Sequence, residues 1–189
     1  MKKDRKNIIL QSLASMLEEK NLSKITTASL AEKSKITEAA LYRHFPSKRS
    51  IYAELFSFCD NAIFNQCNEL KKSDLSPKEK VKNAFIFFMI FIEKNKGFAR
   101  LLSREALSSD EQNVADEVNQ FFDRLELTLK NILSKDSDIL VTQPGITAQL
   151  IITVLEGNIN RFIRSKFKVS PSSYIENIWE LLSITLFKD

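Results

Sequence analysis

Apolar residues recur along this chain at helical spacing, and the elements they predict are few and long. A first helix over 6–20 carries Ile9, Leu13, Met16 and Leu17 on one stripe, and Asn21 and Ser23 break it. Between 26 and 48 the pattern gives two short helices joined by a tight turn, then the start of another. A long helix follows over about 48–70, apolar on more than one face through Ile51, Tyr52, Leu55, Phe56, Phe58, Cys59, Ile63 and Phe64. A polar linker over 71–77 ends at Ser76-Pro77, which opens a helix to about 95. The centre of that helix, AFIFFMIFI at 84–92, is apolar all round, which places it deep in a core. Lys94 and Lys96 suit its C-terminal exit, with Gly97 as the breaker. A short helix over 98–107 and a long one over 111–133 come next, the latter striped by Val114, Val118, Phe121, Phe122, Leu125, Leu129 and Leu133. The stretch 134–145 reads as a surface loop.

Two more helices close the chain, over 146–167 and 172–187. The first turns basic at Arg161, Arg164, Lys166 and Lys168 and has Gly157 as a core-facing small residue. The second carries Ile175, Ile178, Trp179, Leu181, Leu182, Ile184, Leu186 and Phe187, more apolar surface than one core face uses. Such a pair suits a four-helix bundle shared between two copies. The expected fold is therefore all-α: a three-helix N-terminal domain over 1–48, and a helical dimerisation and partner domain over 49–189, about nine helices in all.

Composition sharpens this picture. Three glycines and four prolines leave little material for turns, and fourteen phenylalanines demand burial. The formal charge of +4 is unevenly placed. Residues 1–50 hold eleven Lys and Arg against five Asp and Glu, or +6, so the remainder sums to −2. A basic head on a slightly acidic body suits a nucleic-acid binder whose body contacts something else. Residues 1–6 form a basic segment, either a solubilising tail or an arm for the minor groove. Cys59 and Cys67 share one predicted helix about 12 Å apart, beyond disulfide reach, and read as reduced thiols. With one histidine there is no zinc set, and no cofactor is expected. No apolar stretch follows the basic start, so a signal peptide is not expected. The longest apolar run has nine residues where a membrane span needs about twenty. A soluble, cytoplasmic protein is expected. No nucleophile–base–orienter set, glycine-rich phosphate loop or metal cluster points to an enzyme.

The chemistry concentrates in 26–48, TTASLAEKSKITEAALYRHFPSK. Ile25, Leu30, Ile36, Leu41 and Phe45 can lock a small helical unit. Thr26 or Thr27 is placed to cap its first helix and Thr37 its second, over 38–45. That second helix is too short to stand alone and turns Thr37, Glu38, Ala40, Tyr42, Arg43 and His44 outward. A short helix of this kind after a turn fits a major groove. Pro46 ends it and Ser47 caps the next, placing Lys48, Arg49 and open backbone N–H groups where a phosphate binds.

These residues, above all Leu41-Tyr42-Arg43-His44-Phe45 with Lys48, resemble the DNA-binding signature of the TetR-type regulators. Segments at 9–18, 25–48 and 161–168 extend the likeness to the nucleoid occlusion branch of that family. The resemblance implies that Thr27, Tyr42, His44 and Lys48 hold backbone phosphates of double-stranded DNA. It places Thr37, Glu38, Ala39, Ala40 and Arg43 toward base edges of a palindromic site, with Thr26 beside them. It also implies a nucleoid-associated homodimer that binds the tubulin-like division protein FtsZ and blocks septum assembly over the chromosome, through Phe58, Lys94 and Asn95. The chain departs from that pattern at Gln66 and Lys94, where arginines are expected, and at Lys35, where the turn usually has glycine. The alternative within the same family is a ligand-responsive repressor, with phenylalanines around 85–91 and 121–122 lining an apolar pocket.

Overall fold

The computed structural model describes residues 2–19, 22 and 25–188, the first three by their backbone only. Nine α-helices make up the described chain: α1 Lys2–Leu17, α2 Thr27–Lys33, α3 Glu38–His44, α4 Lys48–Lys72, α5 Pro77–Lys94, α6 Lys96–Leu102, α7 Gln112–Leu133, α8 Pro144–Arg164 and α9 Ile175–Leu186. The expected all-helical class holds. Among the described residues no helix is long and apolar enough to cross a membrane.

Packing divides the chain into two compact units, residues 1–60 with 95–118, and 61–94 with 119–189. In the first, Ile9, Leu13 and Leu17 of α1 are fully buried together with Leu30, Leu41, Phe45 and Ile51. The basic segment at the start is helical from Lys2 onward. Its Lys6 ammonium lies 2.9 Å from the Glu54 carboxylate and 4.8 Å from the centre of the Phe45 ring. The breakers Asn21 and Ser23 lie outside the described residues, as does Lys20, but α1 already ends at Leu17. Its end is closed by α6. Arg100, 6% exposed, donates from Nη1 to the carbonyl oxygens of Leu17, at 2.6 Å, and Glu19. A cation there answers the orphan carbonyls and the negative end of the helix dipole.

Gly97 is not the breaker it was expected to be. It sits inside α6, buried against α1, where a Cβ would meet the Ala14 carbonyl oxygen at 2.8 Å and the Leu17 Cβ at 3.1 Å. The residue is small because two helices approach there. The following helix stops at Leu102, short of 107, with Arg104 in the left-handed region at φ 62°.

The second unit is built on aromatic contacts. Phe121 stands edge-on to Phe64 at 5.6 Å and to Phe122 at 5.3 Å, and stacks on Phe88 at 6.0 Å. Phe85 meets Trp179 of α9 at 5.9 Å. The 134–145 stretch is less free than a loop. Leu140 is buried and bridges to Phe187, and the Val141 N–H donates to the Leu186 carbonyl at 3.0 Å. Two successive left-handed residues, Lys166 at φ 55° and Phe167 at φ 61°, end α8 at Arg164, and the Phe167 ring folds back on Phe162 at 4.9 Å. Gly157 is exposed, with open space where a Cβ would be, so the core-facing expectation is overturned. The exposed side of α8 and α9 also carries Ile146, Leu150, Leu181 and Ile184.

Buried thiols complete the interior. Desolvation pushes Cys59 up to about 12 and Cys67 up to about 11, which leaves both protonated and poor nucleophiles at neutral pH.

Gly97→Ala is expected to destabilise the protein by about 1–3 kcal/mol, because the close approach at Ala14 leaves no room for a methyl group. Urea unfolding measures it; an unchanged midpoint would mean that the α1–α6 seam opens without cost.

Candidate nucleic-acid interface

The 26–48 stretch folds into two short helices because each end is satisfied locally. Thr26, rather than Thr27, caps α2: its Oγ1 accepts the Ser29 N–H at 3.1 Å while its own N–H donates to Ser29 Oγ at 2.9 Å. The turn after α2 uses two reversed hydrogen bonds, Ile36 N–H to the Ala31 carbonyl and Lys35 N–H to the Glu32 carbonyl, each 3.0 Å. This is the Schellman arrangement, which requires a left-handed residue after the cap. Lys35 supplies it at φ 55° where glycine would fit without strain.

Thr37 then caps α3, its Oγ1 accepting the Ala40 N–H at 3.2 Å. Within α3 only Leu41 is buried, with Phe45 just beyond it. Thr37, Glu38, Ala39, Tyr42 and Arg43 are exposed, and Ala40 and His44 are half-buried. His44 Nδ1 is enclosed without a hydrogen-bond partner. Thr26 is exposed and Thr27 half-buried at the start of α2. The α3 candidates thus share one short, outward-facing helix.

Ser47 opens α4 by reciprocal bonding with Ser50. Ser47 Oγ accepts the Ser50 N–H at 3.1 Å, and Ser50 Oγ accepts the Ser47 N–H at 3.2 Å. The amides of Lys48 and Arg49 lie in the first helical turn, which has no intrahelical acceptors. Lys48 has a partner that spacing did not reveal. Its Nζ is 3.4 Å from Glu111 Oε1 and 5.2 Å from the centre of the Tyr52 ring. Glu111 is 1% exposed, and its other oxygen accepts the Ser108 N–H at 3.0 Å and the Ser108 hydroxyl. Burial works to raise this carboxyl, but the Ser108 hydrogen bonds and the Lys48 charge together hold it below the usual carboxylate range. Burial, with the Glu111 charge added, pushes the Tyr52 phenol upward. Arg49 faces another acid, Glu117 of α7, whose carboxyl burial raises against the pull of Arg49. The Ser108-x-x-Glu111 spacing was legible as a helix-start box; its meeting with Lys48 was not.

Of the three residues that the resemblance implies for a protein partner, Phe58 and Asn95 belong to the first unit and Lys94 to the second. Phe58 of α4 is 68% exposed in the first unit. Asn95 is half-buried there and starts α6, its carbonyl accepting the Phe98 and Ala99 N–H groups. Lys94 is exposed at the end of α5, in the second unit.

Comparison with known proteins covers both halves of the chain. Residues 9–55 match the family model for bacterial regulatory proteins of the tetR family, and residues 78–187 match the SlmA-like model described as the tetracyclin repressor-like C-terminal domain. The nucleoid occlusion factor SlmA of Vibrio campbellii is 36% identical over 187 residues, covering 96% of this chain and 95% of that protein. That of Vibrio cholerae is 35% identical over 185 residues, covering 95% and 94%. Among solved structures, native NalD, the secondary repressor of the MexAB-OprM multidrug efflux pump in Pseudomonas aeruginosa, superposes with a TM-score of 0.83 over the whole of both chains at 16% identity. FadR of Bacillus subtilis in complex with stearoyl-CoA gives 0.74 over 93% and 96% at 14% identity. At those identities the shared property is the fold.

Lys35→Gly is expected to stabilise the protein by about 0.5–1 kcal/mol. The left-handed conformation costs an L-residue about 1–2 kcal/mol, and the extra unfolded-state freedom of glycine returns about half of that. Thermal unfolding reads the difference; a lowered midpoint would show that the Lys35 side chain contributes more than its backbone costs.

Proposed function

Because the chain belongs to the tetR family of bacterial regulatory proteins and matches nucleoid occlusion factors along nearly its whole length, we propose that it is a DNA-binding nucleoid occlusion factor. The observation that carries this reading is the reach of the likeness. At 36% identity over 96% of the chain it includes the body, where regulators of one fold differ in what they answer to. The interior of the body agrees. The void lined by Phe85, Phe87, Phe88 and Leu129 measures about 10 Å³, at most one water, whereas small-molecule sites run to about 300–1,000 Å³. The phenylalanines around 85–88 therefore leave no room between them for the effector of the ligand-responsive alternative.

On this reading residues 1–48 are the reading head and 49–189 the dimer-forming and partner-binding body. Two copies join through the exposed apolar faces of α8 and α9, with Gly157 allowing close approach. The dimer sets two α3 helices into successive major grooves of a palindromic site, which supplies the specificity that one seven-residue helix lacks. Thr27, Tyr42, His44 and Lys48 grip backbone phosphates, Thr26 supports them from the α2 cap, and Thr37, Glu38, Ala39, Ala40 and Arg43 face the bases. The work is binding, and no catalytic step is assigned. Phe58 lies about 15 Å along α4 from Lys48, so one helix carries both a phosphate grip and part of the surface for FtsZ. Lys94 and Asn95 supply the rest. Lysine at 94 keeps the charge but loses the bidentate fork of arginine.

Lys48→Ala is expected to weaken binding to every DNA sequence and to lower the salt slope by about one unit. Thr37→Ala and Arg43→Ala are expected instead to change which sequences are preferred. Binding isotherms on selected and mixed-sequence duplexes across a salt series separate the two; a changed preference with an unchanged slope for Lys48→Ala would reverse the assigned roles. Leu181→Glu combined with Ile184→Glu is expected to leave a monomer in sedimentation velocity, and a persistent dimer would move the interface elsewhere. Sedimentation of polymerised FtsZ from the same organism, with the protein and its selected DNA, tests the division role. DNA-dependent loss of polymer is expected. Intact DNA binding with no effect on polymer would return the protein to the repressors.

A further inference from the structure

The cation of the phosphate grip is already engaged. Lys48 is 32% exposed and lies against a carboxylate that is 1% exposed, at the edge of an open cleft of about 610 Å³ that Ser47, Arg49, Asp110 and Asn113 help to line. We propose that Glu111, from the turn before α7, is a positioning residue for DNA binding: it holds Lys48 over Tyr52 and offsets part of its charge, so that it sets the strength and salt dependence of backbone contact. The inference rests on the reading of Lys48 as a phosphate contact.

The two oxygens of Glu111 divide the labour. One takes both donors of Ser108 and the other faces Lys48. The carboxylate is therefore fixed by bonds that do not depend on the lysine, and it stays in place when the ammonium turns toward a phosphate. The lysine has three donors and a flexible stem, so it can turn; the acid cannot follow. Because Glu111 is shielded from water, salt screens its attraction for Lys48 less than it screens the attraction of an exposed phosphate. A phosphate therefore competes with a built-in rival. To the DNA, a paired Lys48 counts as somewhat less than one full positive charge.

Glu111→Gln isolates this effect, since glutamine keeps the geometry of a Ser-x-x-Glu/Gln box and removes the charge. Asp110→Asn removes an equal charge from the exposed neighbouring position and measures the general field. Binding to a mixed-sequence duplex and to the selected site is measured across a salt series, in the wild-type and Lys48→Ala backgrounds, with unfolding curves as the control for folding. The expected result is that Glu111→Gln tightens both complexes by about fivefold to thirtyfold and steepens the salt slope by a fraction of one unit. In the Lys48→Ala background its effect should shrink to that of Asp110→Asn. Glu111→Leu, which fills the same buried space without charge, should move affinity in the same direction if the glutamine variant folds poorly. Equal effects of Glu111→Gln in both backgrounds, or no effect in either while Lys48→Ala still weakens binding, would overturn the proposal and leave the phosphate reading standing. A Lys48→Ala protein with unaltered affinity and slope would overturn both.

Discussion

A helix of seven residues with one buried side chain cannot hold its own shape, and the DNA-facing unit is arranged around that constraint. Nucleation costs more than so few hydrogen bonds return. α3 therefore takes its order from outside itself: a threonine cap before it, Leu41 and Phe45 beneath it, and a Schellman turn that fixes the direction of entry. Those supports in turn need α1 and α2 to be fixed. α1 is fixed by its seam with α6, where Gly97 lets the backbones meet and Arg100 ties off the last carbonyls. Freedom to vary the outward side chains of α3 follows from this arrangement. Glu38, Ala39, Tyr42 and Arg43 carry little of the fold, so they are available for recognition.

The local half of this design was readable in the sequence. Caps, turn and exposed face are encoded within three or four residues of one another, and Thr37, Leu41, Pro46 and Ser47 announce them directly. Periodicity also gave the nine helices, because long apolar stripes admit no other pairing of period and length. What failed was whatever depended on a neighbour distant in the chain. Gly97 and Gly157 look alike as sequence; one is pressed against the Ala14 carbonyl and the other faces open space. Glycine reports a need for room without saying whose. The Lys48–Glu111 pair was hidden for the same reason, since a lysine at a helix start and a glutamate in a capping box each have a sufficient local explanation. The ends of α6 and α8 were misjudged because Arg104, Lys166 and Phe167 take left-handed conformations that their residue types disfavour.

The body shows the opposite economy. Its phenylalanines were ambiguous in sequence, equally suited to lining a cavity or filling one. Edge-on and stacked contacts of Phe64, Phe88, Phe121 and Phe122 fill it, and the void beside Phe85 and Phe88 is too small for an effector. At that place the packing leaves no volume through which a small molecule could shift the body. The outward apolar faces of α8 and α9, and the exposed ring of Phe58, are among the places where the molecule leaves apolar area in water.

The state of Lys48 bears on what kind of DNA binder such a protein can be. Backbone contacts supply most of the affinity for any sequence, and they grow with every unopposed cation at the interface. Opposing one of them with a buried acid lowers the affinity for all DNA alike, while base contacts from α3 are untouched. The ratio between a proper site and random sequence is then set by base contacts, and the lifetime on either is shortened. A chromosome offers an enormous excess of random sequence, and occupancy of proper sites depends on that ratio weighted by site frequency rather than on affinity alone. On the proposed reading of Lys48, a lysine shared between phosphate and carboxylate keeps an orienting contact while limiting the time lost on sequence that carries no site.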